Sequence, residues 1–279
     1  WNTIGENEHV WYAEKKKLRI NTIKKIIQET SCDVVYINGI YSWYFSIVPL
    51  YLLKNKGKKI IVAPRGMLSS QALNVKRLKK NFFIKLVNTI HPYRNITFHP
   101  TIDQEKSDIQ NLIAKHGHIH LIPNFPQYTS VDIFCKKKKH TGSCQLISIA
   151  RISPEKNTLF ALQVLKNVTR HSVSFHVYGS VYDKTYWKKC KDIIDRMPDN
   201  ISVYIHGSIH PDDIVEKYQS AHFLFLPTTG ENFGHAIYEA LSAGCPVIIS
   251  DKTPWKNLEQ YKAGWDISLN QKEKFIKAI

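Results

Sequence analysis

Arg151 and Lys156 stand five positions apart in RISPEKN (151–157), and Glu231 and Glu239 stand eight apart in GENFGHAIYEA (230–240). A Ser-Pro turn separates the two cations and leads into a segment of helical period. Both charges therefore lie beside a helix N-terminus, whose open N–H groups and dipole already favour anions. Arginine grips phosphate oxygens with two parallel N–H groups and lysine adds a point charge, a combination that suits a diphosphate. Taken alone, the segment would serve equally as a solvated cap in which Glu155 and Lys156 compensate each other.

The two acids cannot be a proton-sharing dyad, because the start of a helix separates them along its axis. A carboxylate near a diphosphate is repelled unless it accepts hydrogen bonds from hydroxyl groups. Glu239 on a ribose diol, Glu231 on the hydroxyls of a second sugar, and the amides near Phe233 to His235 on the phosphates between them meet all three demands. Gly234 permits close backbone approach, and Gly244 with Pro246 stops the helix. Singly, Glu231 is also an ordinary first-turn acid and Glu239 a residue of a solvated face. The combination with Arg151 and Lys156 is what points to a nucleotide sugar.

These residues need a frame. DVVYI (33–37), KIIVA (59–63), ITFH (96–99) and IHLIP (119–123) read as strands with helical segments between them, which predicts parallel α/β layers. From Asn124 to Ser143 two prolines, a lysine run and small polar residues break the pattern. A domain of residues 1–125, a linker over 126–143 and a second domain over 144–279 follow. In the second domain strands are expected at 145–150, 174–179, 201–207, 222–227, 246–250 and 264–267. Helices are expected near 157–170, 184–196, 211–219 and 235–243. Such doubly wound sheets bind ligands outside the carboxyl ends of their strands, where both loops above lie.

Composition bounds the rest. With 43% hydrophobic residues the chain can bury a core, and 39 Lys+Arg against 23 Asp+Glu give a net charge of +16 that asks for an acidic partner. The excess is concentrated in residues 1–125. Cys32, Cys135, Cys144, Cys190 and Cys245 are odd in number and lack CxxC spacing, which argues against a disulfide framework or zinc site and for a reducing, cytoplasmic setting. The start WNTIGENEHV has no apolar core of a secretory signal, and Tyr41 to Leu53 is too short to span a bilayer.

RISPEKN followed by GENFGHAIYEALSAGCPVI resembles the C-terminal half of retaining glycosyltransferase family 4, whose E-x7-E pattern Glu231 and Glu239 match. SDKTPWKNLEQYKAGW (250–265) extends the likeness, and VAPRGMLSSQAL (62–73) resembles members that assemble bacterial surface polysaccharides. The resemblance implies an α/β GT-B fold of two Rossmann-like domains, with the nucleotide sugar held mainly by the second and a saccharide acceptor, lipid-linked, by the first. It implies that Arg151 and Lys156 bind the diphosphate, Glu239 the ribose, and Glu231, Asn232, Phe233 and Gly234 the transferred sugar. FHPTIDQE (98–105) is similar to the family's His-Ala-Thr-Ser-Glu pattern and makes His99 the matching cleft histidine. Glu231, Arg151, Lys156 and His99 are thus the catalytic candidates. Independently of the likeness, Arg65 stands in the loop after strand 59–63, ahead of the cationic segment, where acceptor and donor phosphate are equally open to it. No cofactor beyond the donor is implied, and no metal.

Some features depart from the family. Nothing before Asp33 supplies the usual first strand and glycine-rich loop, Pro123-Asn124-Phe125 lacks the glycine of a Pro-Asn-Gly turn, and no long closing helix follows Ile279. The resemblance therefore predicts a first domain that is incomplete.

Ala72 to Ile90 reads as a basic amphipathic helix, with Leu78, Phe82, Leu86 and Ile90 on one face and Lys76, Arg77, Lys79, Lys80 and Lys85 largely elsewhere. Beside the aromatic segment 41–53 it suits peripheral contact with an anionic membrane. A nucleic-acid-binding protein is the alternative reading of the +16 charge, but C2H2 spacing and RNP-type strands are lacking and no nucleic acid is expected. A GT-B nucleotide-sugar epimerase would share the donor residues and lack an acceptor site.

Overall fold

The computed structural model describes residues 2–6, 8–54, 56–69, 72–73, 77–113, 117–125 and 141–279. Most of the predicted linker (126–140), with Cys135 and the Lys136 to Lys139 run, lies outside the described residues, as does Lys76. The chain divides into two compact units, Trp1–Asn124 and Phe125–Ile279.

Unit 1 opens with an unforeseen antiparallel hairpin, β1 (Asn2–Gly5) and β2 (Glu8–Val10), which forms a sheet of its own. Helix α1 (Ile20–Glu29) precedes a parallel sheet of β3 (Val34–Asn38), β4 (Lys59–Ala63), β5 (Thr97–Phe98) and β6 (His118–Ile119), hydrogen-bonded in that order. The last two are shorter than ITFH and IHLIP predicted. A π-turn over Trp43–Ile47 runs into α2 (Val48–Leu53), α3 spans Arg77–Ile90 and α4 Asp103–Leu112. Ile37, Val62, Phe98, Val87 and Ile109 meet in one core, and Phe83 packs against it.

On α3 the apolar row read from the periodicity faces solvent: Leu78 is 86% exposed, Phe82 68%, Leu86 44% and Ile90 59%. Phe83 and Val87 turn toward the core instead. Phe82 and Phe83 differ by about 100° around the helix axis, so the segment carries two apolar rows, and periodicity does not say which one the sheet covers.

Unit 2 carries β7 (Ser143–Ile149), α5 (Thr158–Leu165), β8 (Ser172–Tyr178), α6 (Lys184–Ile194), β9 (Ile201–Gly207), α7 (Ile214–Ser220), β10 (Phe223–Leu226), α8 (His235–Ser242), β11 (Val247–Ser250), β12 (Gly264–Ile267) and α9 (Lys272–Ala278). The strand order is β12-β11-β10-β7-β8-β9, parallel throughout. Numbered in chain order from β7 and read from the β9 edge this is 3-2-1-4-5-6, the doubly wound order whose winding reverses between β7 and β10.

Both faces of the sheet are covered. Leu146, Phe175, Phe225 and Ile248 pack with Leu162, Cys190 and Phe275 on one side, while Ile147, Leu224, Leu226 and Val247 pack with Tyr218, Ile237 and Ala240 on the other. That double burial is why FLFL and VIIS read as unbroken apolar runs rather than alternating ones. Each such side chain taken from water contributes about 1.5–3 kcal/mol. Gly179 follows β8 at φ +152, where a Cβ would lie 2.0 Å from the Ala150 carbonyl oxygen, so only glycine lets the chain pass the base of the 151–157 loop.

Candidate donor-type anion site

The loops after β7 and β10 leave neighbouring strands at the reversal point and lead to helices on opposite faces, the place where doubly wound sheets bind ligands. They are tied by one backbone oxygen. Glu155 O accepts from Thr229 N at 2.8 Å, Thr228 Oγ1 at 2.9 Å and Thr229 Oγ1 at 3.1 Å. Asn157, in the left-handed region at φ +57 that Asn tolerates, donates from Nδ2 to Pro227 O at 3.0 Å. A third loop, after β11, braces the second: Ser250 Oγ donates to Thr228 O (2.5 Å), Glu231 N to Lys252 O (3.1 Å) and Trp255 Nε1 to Phe233 O (2.6 Å).

Inside this frame Lys156 Nζ donates to Glu231 Oε1 at 2.6 Å, with side-chain exposures of 23% and 11%. Both residues were singled out in the sequence, one for phosphate and one for sugar, and the fold joins them directly. Partial burial makes each charge costly alone, so the pair is mutually stabilising. Arg151 rises from the same loop as Lys156, but its partners are Glu155 Oε2 at 3.7 Å and the ring of Tyr182, 5.0 Å from its guanidinium carbon. It is exposed and, among the described residues, forms no hydrogen bond or ion pair with the Lys156–Glu231 pair.

The amides of Asn232, Phe233, Gly234, His235 and Ala236 have no acceptor among the described residues. Gly234 caps α8 at φ +80, and a Cβ there would meet Ile237 Cδ1 at 2.9 Å. The Phe233 ring contacts those of His235 (4.8 Å) and Trp255 (6.0 Å, edge-on). A run of open N–H groups at a helix start, preceded by a glutamate that a lysine ammonium from the neighbouring loop contacts, is an anion-binding arrangement. Glu239 lies further along α8, half-buried; burial raises its carboxyl pKa above 4.5, and its charge in turn helps to raise the hydroxyl pKa of the buried Tyr218. Its carboxylate makes no hydrogen bond or ion pair among the described residues.

His99 and Arg65 belong to unit 1, where they share one network. His99 Nε2 is 2.9 Å from Ile122 O, which can only accept, so in the neutral ring that nitrogen carries the proton. Nδ1 then accepts from the Tyr36 hydroxyl at 2.5 Å. The Tyr36 oxygen accepts from Arg65 Nη2 at 3.1 Å. Both nitrogens of His99 are thus engaged within unit 1. Tyr36, Asn38, Glu105, Asn124 and Trp255 are site-forming residues that the sequence did not single out, although Glu105 closes FHPTIDQE, Asn124 and Trp255 lie in the Pro-Asn-Phe and SDKTPWKNLEQYKAGW segments, and Tyr36 lies in the DVVYI strand.

Residues 131–279 match the family model of Glycosyl transferases group 1. No match is found among curated proteins. Among solved structures the fold is similar to sucrose-phosphate synthase from Thermosynechococcus elongatus, with TM-score 0.67 and 15% identity over 96% of this chain and 70% of that one. It is also similar to the lipopolysaccharide outer core galactosyltransferase WaaB, with TM-score 0.57, 18% identity, and 93% and 68% coverage. Anabaena HepE in complex with UDP and glucose gives TM-score 0.60 at 14% identity, over 83% of this chain and 62% of HepE. With the family matched over more than half its length and parallel α/β units of the GT-B kind, the chain belongs to the group 1 glycosyl transferases.

Proposed function

We propose that the chain moves a hexose from a nucleotide diphosphate sugar to a saccharide acceptor with retention of anomeric configuration, in the manner of family 4. The observation that carries the reading is the run of open amides at 232–236 directly following Glu231, whose carboxylate is paired with Lys156. The amides and Lys156 take the diphosphate, with Arg151 swinging from Tyr182 to join them. Because Lys156 already neutralises Glu231, the carboxylate can accept hydrogen bonds from the donor sugar without repelling the phosphates. Glu239, lacking a partner and half-buried, suits a ribose diol.

In the transfer, the bond from the anomeric carbon to the phosphate oxygen breaks and the nucleoside diphosphate leaves with the electron pair. The acceptor oxygen bonds to the same face of that carbon, and its proton passes to the departing phosphate. Charge stabilisation of the leaving group is the main catalytic contribution in this scheme, and it is assigned to Lys156, Arg151 and the amides, with no metal invoked. Glu231 binds and orients the sugar.

The acceptor, in this reading, is lipid-linked and part of a surface polysaccharide. The exposed row of α3, flanked by Arg77, Lys79, Lys80 and Lys85 with no acid on the helix, complements an anionic lipid surface. Among the described residues no helix is long and apolar enough to cross a membrane.

A thermal-shift screen of nucleoside diphosphates and their sugars is the test. A true donor at one hundred times its Kd stabilises by about 2.7 kcal/mol. Nucleoside diphosphate release that depends on a saccharide acceptor supports transfer; acceptor-independent release of free 2-epimer assigns an epimerase, and absence of any nucleotide effect refutes the reading.

A further inference from the structure

We propose that Arg65 is a preformed receptor for a phosphoryl group, and that this group is carried by the acceptor. Every strand of the unit 1 parallel sheet contributes to its network, with β3 supplying Tyr36 as well as Asn38. Asn38 ends β3, Arg65 follows β4, His99 follows β5 and Asn124 lies beyond β6. The carboxyl edge of a parallel sheet is where α/β units bind ligands.

The guanidinium is oriented without being neutralised. Nε donates to Asn38 Oδ1 at 3.3 Å, Nη1 to Asn124 Oδ1 at 2.5 Å and Nη2 to the Tyr36 hydroxyl at 3.1 Å. All three acceptors are uncharged, and among the described residues no carboxylate pairs with Arg65. The Tyr36 ring, 5.9 Å from the guanidinium carbon, adds a further weak attraction. Of five N–H groups three are used, which leaves one on each terminal nitrogen. Two N–H groups on adjacent nitrogens match two oxygens of one phosphoryl group.

Two supports keep it there. The His99–Tyr36 relay sends the tyrosine proton to Nδ1, so the tyrosine oxygen is left to accept from Arg65. Arg65 also sits at φ +54, a region that side-chain-bearing residues rarely adopt. The buried Glu105 holds this turn by accepting from Gly66 N at 2.6 Å, while its other oxygen takes Thr101 N at 2.8 Å and Thr101 Oγ1 at 3.0 Å. A strained arginine held by neutral partners is an arrangement made for an anion that comes from outside.

The donor diphosphate has its own candidate receptor in unit 2, which leaves the acceptor as the source; naming the source rests on the glycosyltransfer reading, whereas the receptor itself does not. The test is the Nε–H signal of Arg65 in the 279-residue chain, assigned by its loss in Arg65→Lys and titrated with inorganic phosphate, with chloride at equal ionic strength, and with UDP.

Expected are saturation by phosphate, no saturation by chloride, about tenfold weaker phosphate binding in Asn124→Leu, and an Arg65 signal that stays still while UDP saturates the amides of 232–236. Equal, unsaturable responses to phosphate and chloride overturn the receptor. A saturable Arg65 shift with UDP, at the concentration that fills the 232–236 loop, overturns the acceptor assignment. If UDP moves no amide of that loop, the functional reading fails independently of how Arg65 answers to phosphate.

Discussion

Lys156 Nζ lies 2.6 Å from Glu231 Oε1 across 75 positions of sequence, and the bond joins the loop after β7 to the loop after β10. One contact therefore ties together the two segments between which the sheet reverses direction. It also gives the lysine two tasks that mutation can separate: holding a carboxylate in the free chain and meeting phosphate when the donor arrives.

Replacing either partner leaves a largely shielded charge unpaired. We expect Lys156→Met and Glu231→Leu each to lower stability by about 1–3 kcal/mol, and the double variant to lose less than their sum by at least about 1 kcal/mol. Urea denaturation of the four chains measures this, and strict additivity would rule out the coupling. Calorimetry separates the tasks: Lys156→Met weakens UDP at least about tenfold, whereas Glu231→Gln leaves UDP within a few-fold and removes transfer.

Gly234 tests the open amides. At φ +80 alanine is strained whatever the space, and its Cβ, 2.9 Å from Ile237 Cδ1, must also displace the end of that buried side chain. Gly234→Ala is expected to cost about 1–2 kcal/mol in stability and to weaken UDP by about tenfold or more, since the left-handed cap that carries the open N–H groups must readjust. Unchanged affinity in a folded Gly234→Ala chain would remove the amides from the site.

Much of this was legible because the signals are local. Buried parallel strands announce themselves as FLFL and VIIS, and Gly-Glu-Asn-Phe-Gly before an apolar period announces a loop and a helix. The same logic put RISPEKN and GENFG on one sheet edge. What was not legible depends on tertiary placement. The Glu155 carbonyl that binds both threonines has no sequence signature, because any residue supplies one. Arg151 and Lys156 look equivalent in the sequence, yet only Lys156 turns inward. The Leu78 row was visible as a row, but its exposure depends on Phe83 and Val87 winning the contact with the core.

Glu239 gives a pH prediction with a definite sign. Burial raises its pKa above 4.5, so between 4.5 and the folded-state value the native chain binds more protons than the unfolded one. Stability from this group therefore falls as pH rises through that window and stays lowered at neutral pH. Glu239→Gln should be more stable than the parent at pH 7, by less than about 1 kcal/mol given its partial solvent screening, with the difference vanishing below 4.5. If the carboxylate serves a ribose diol, the same variant binds UDP more weakly but binds inorganic diphosphate as before. Equal loss for both ligands would take Glu239 off the ribose.

The apolar row of α3 makes the last prediction. Leu78 to Ile90 covers about 18 Å along the helix, with four cations and no acid on that helix, which suits an interfacial helix on anionic lipid. A second copy of the chain fits the row poorly, because it would set these cations against their own kind. In sedimentation with phosphatidylglycerol vesicles the chain should bind, release progressively as salt rises, and leave phosphatidylcholine vesicles largely free, each cation near the surface contributing about 1 kcal/mol. Leu78→Glu with Phe82→Glu should cut binding at least about tenfold while circular dichroism and the UDP response stay unchanged, since neither side chain packs in the core. Binding to anionic vesicles that survives both substitutions would show that lysines elsewhere, not this row, carry the attraction.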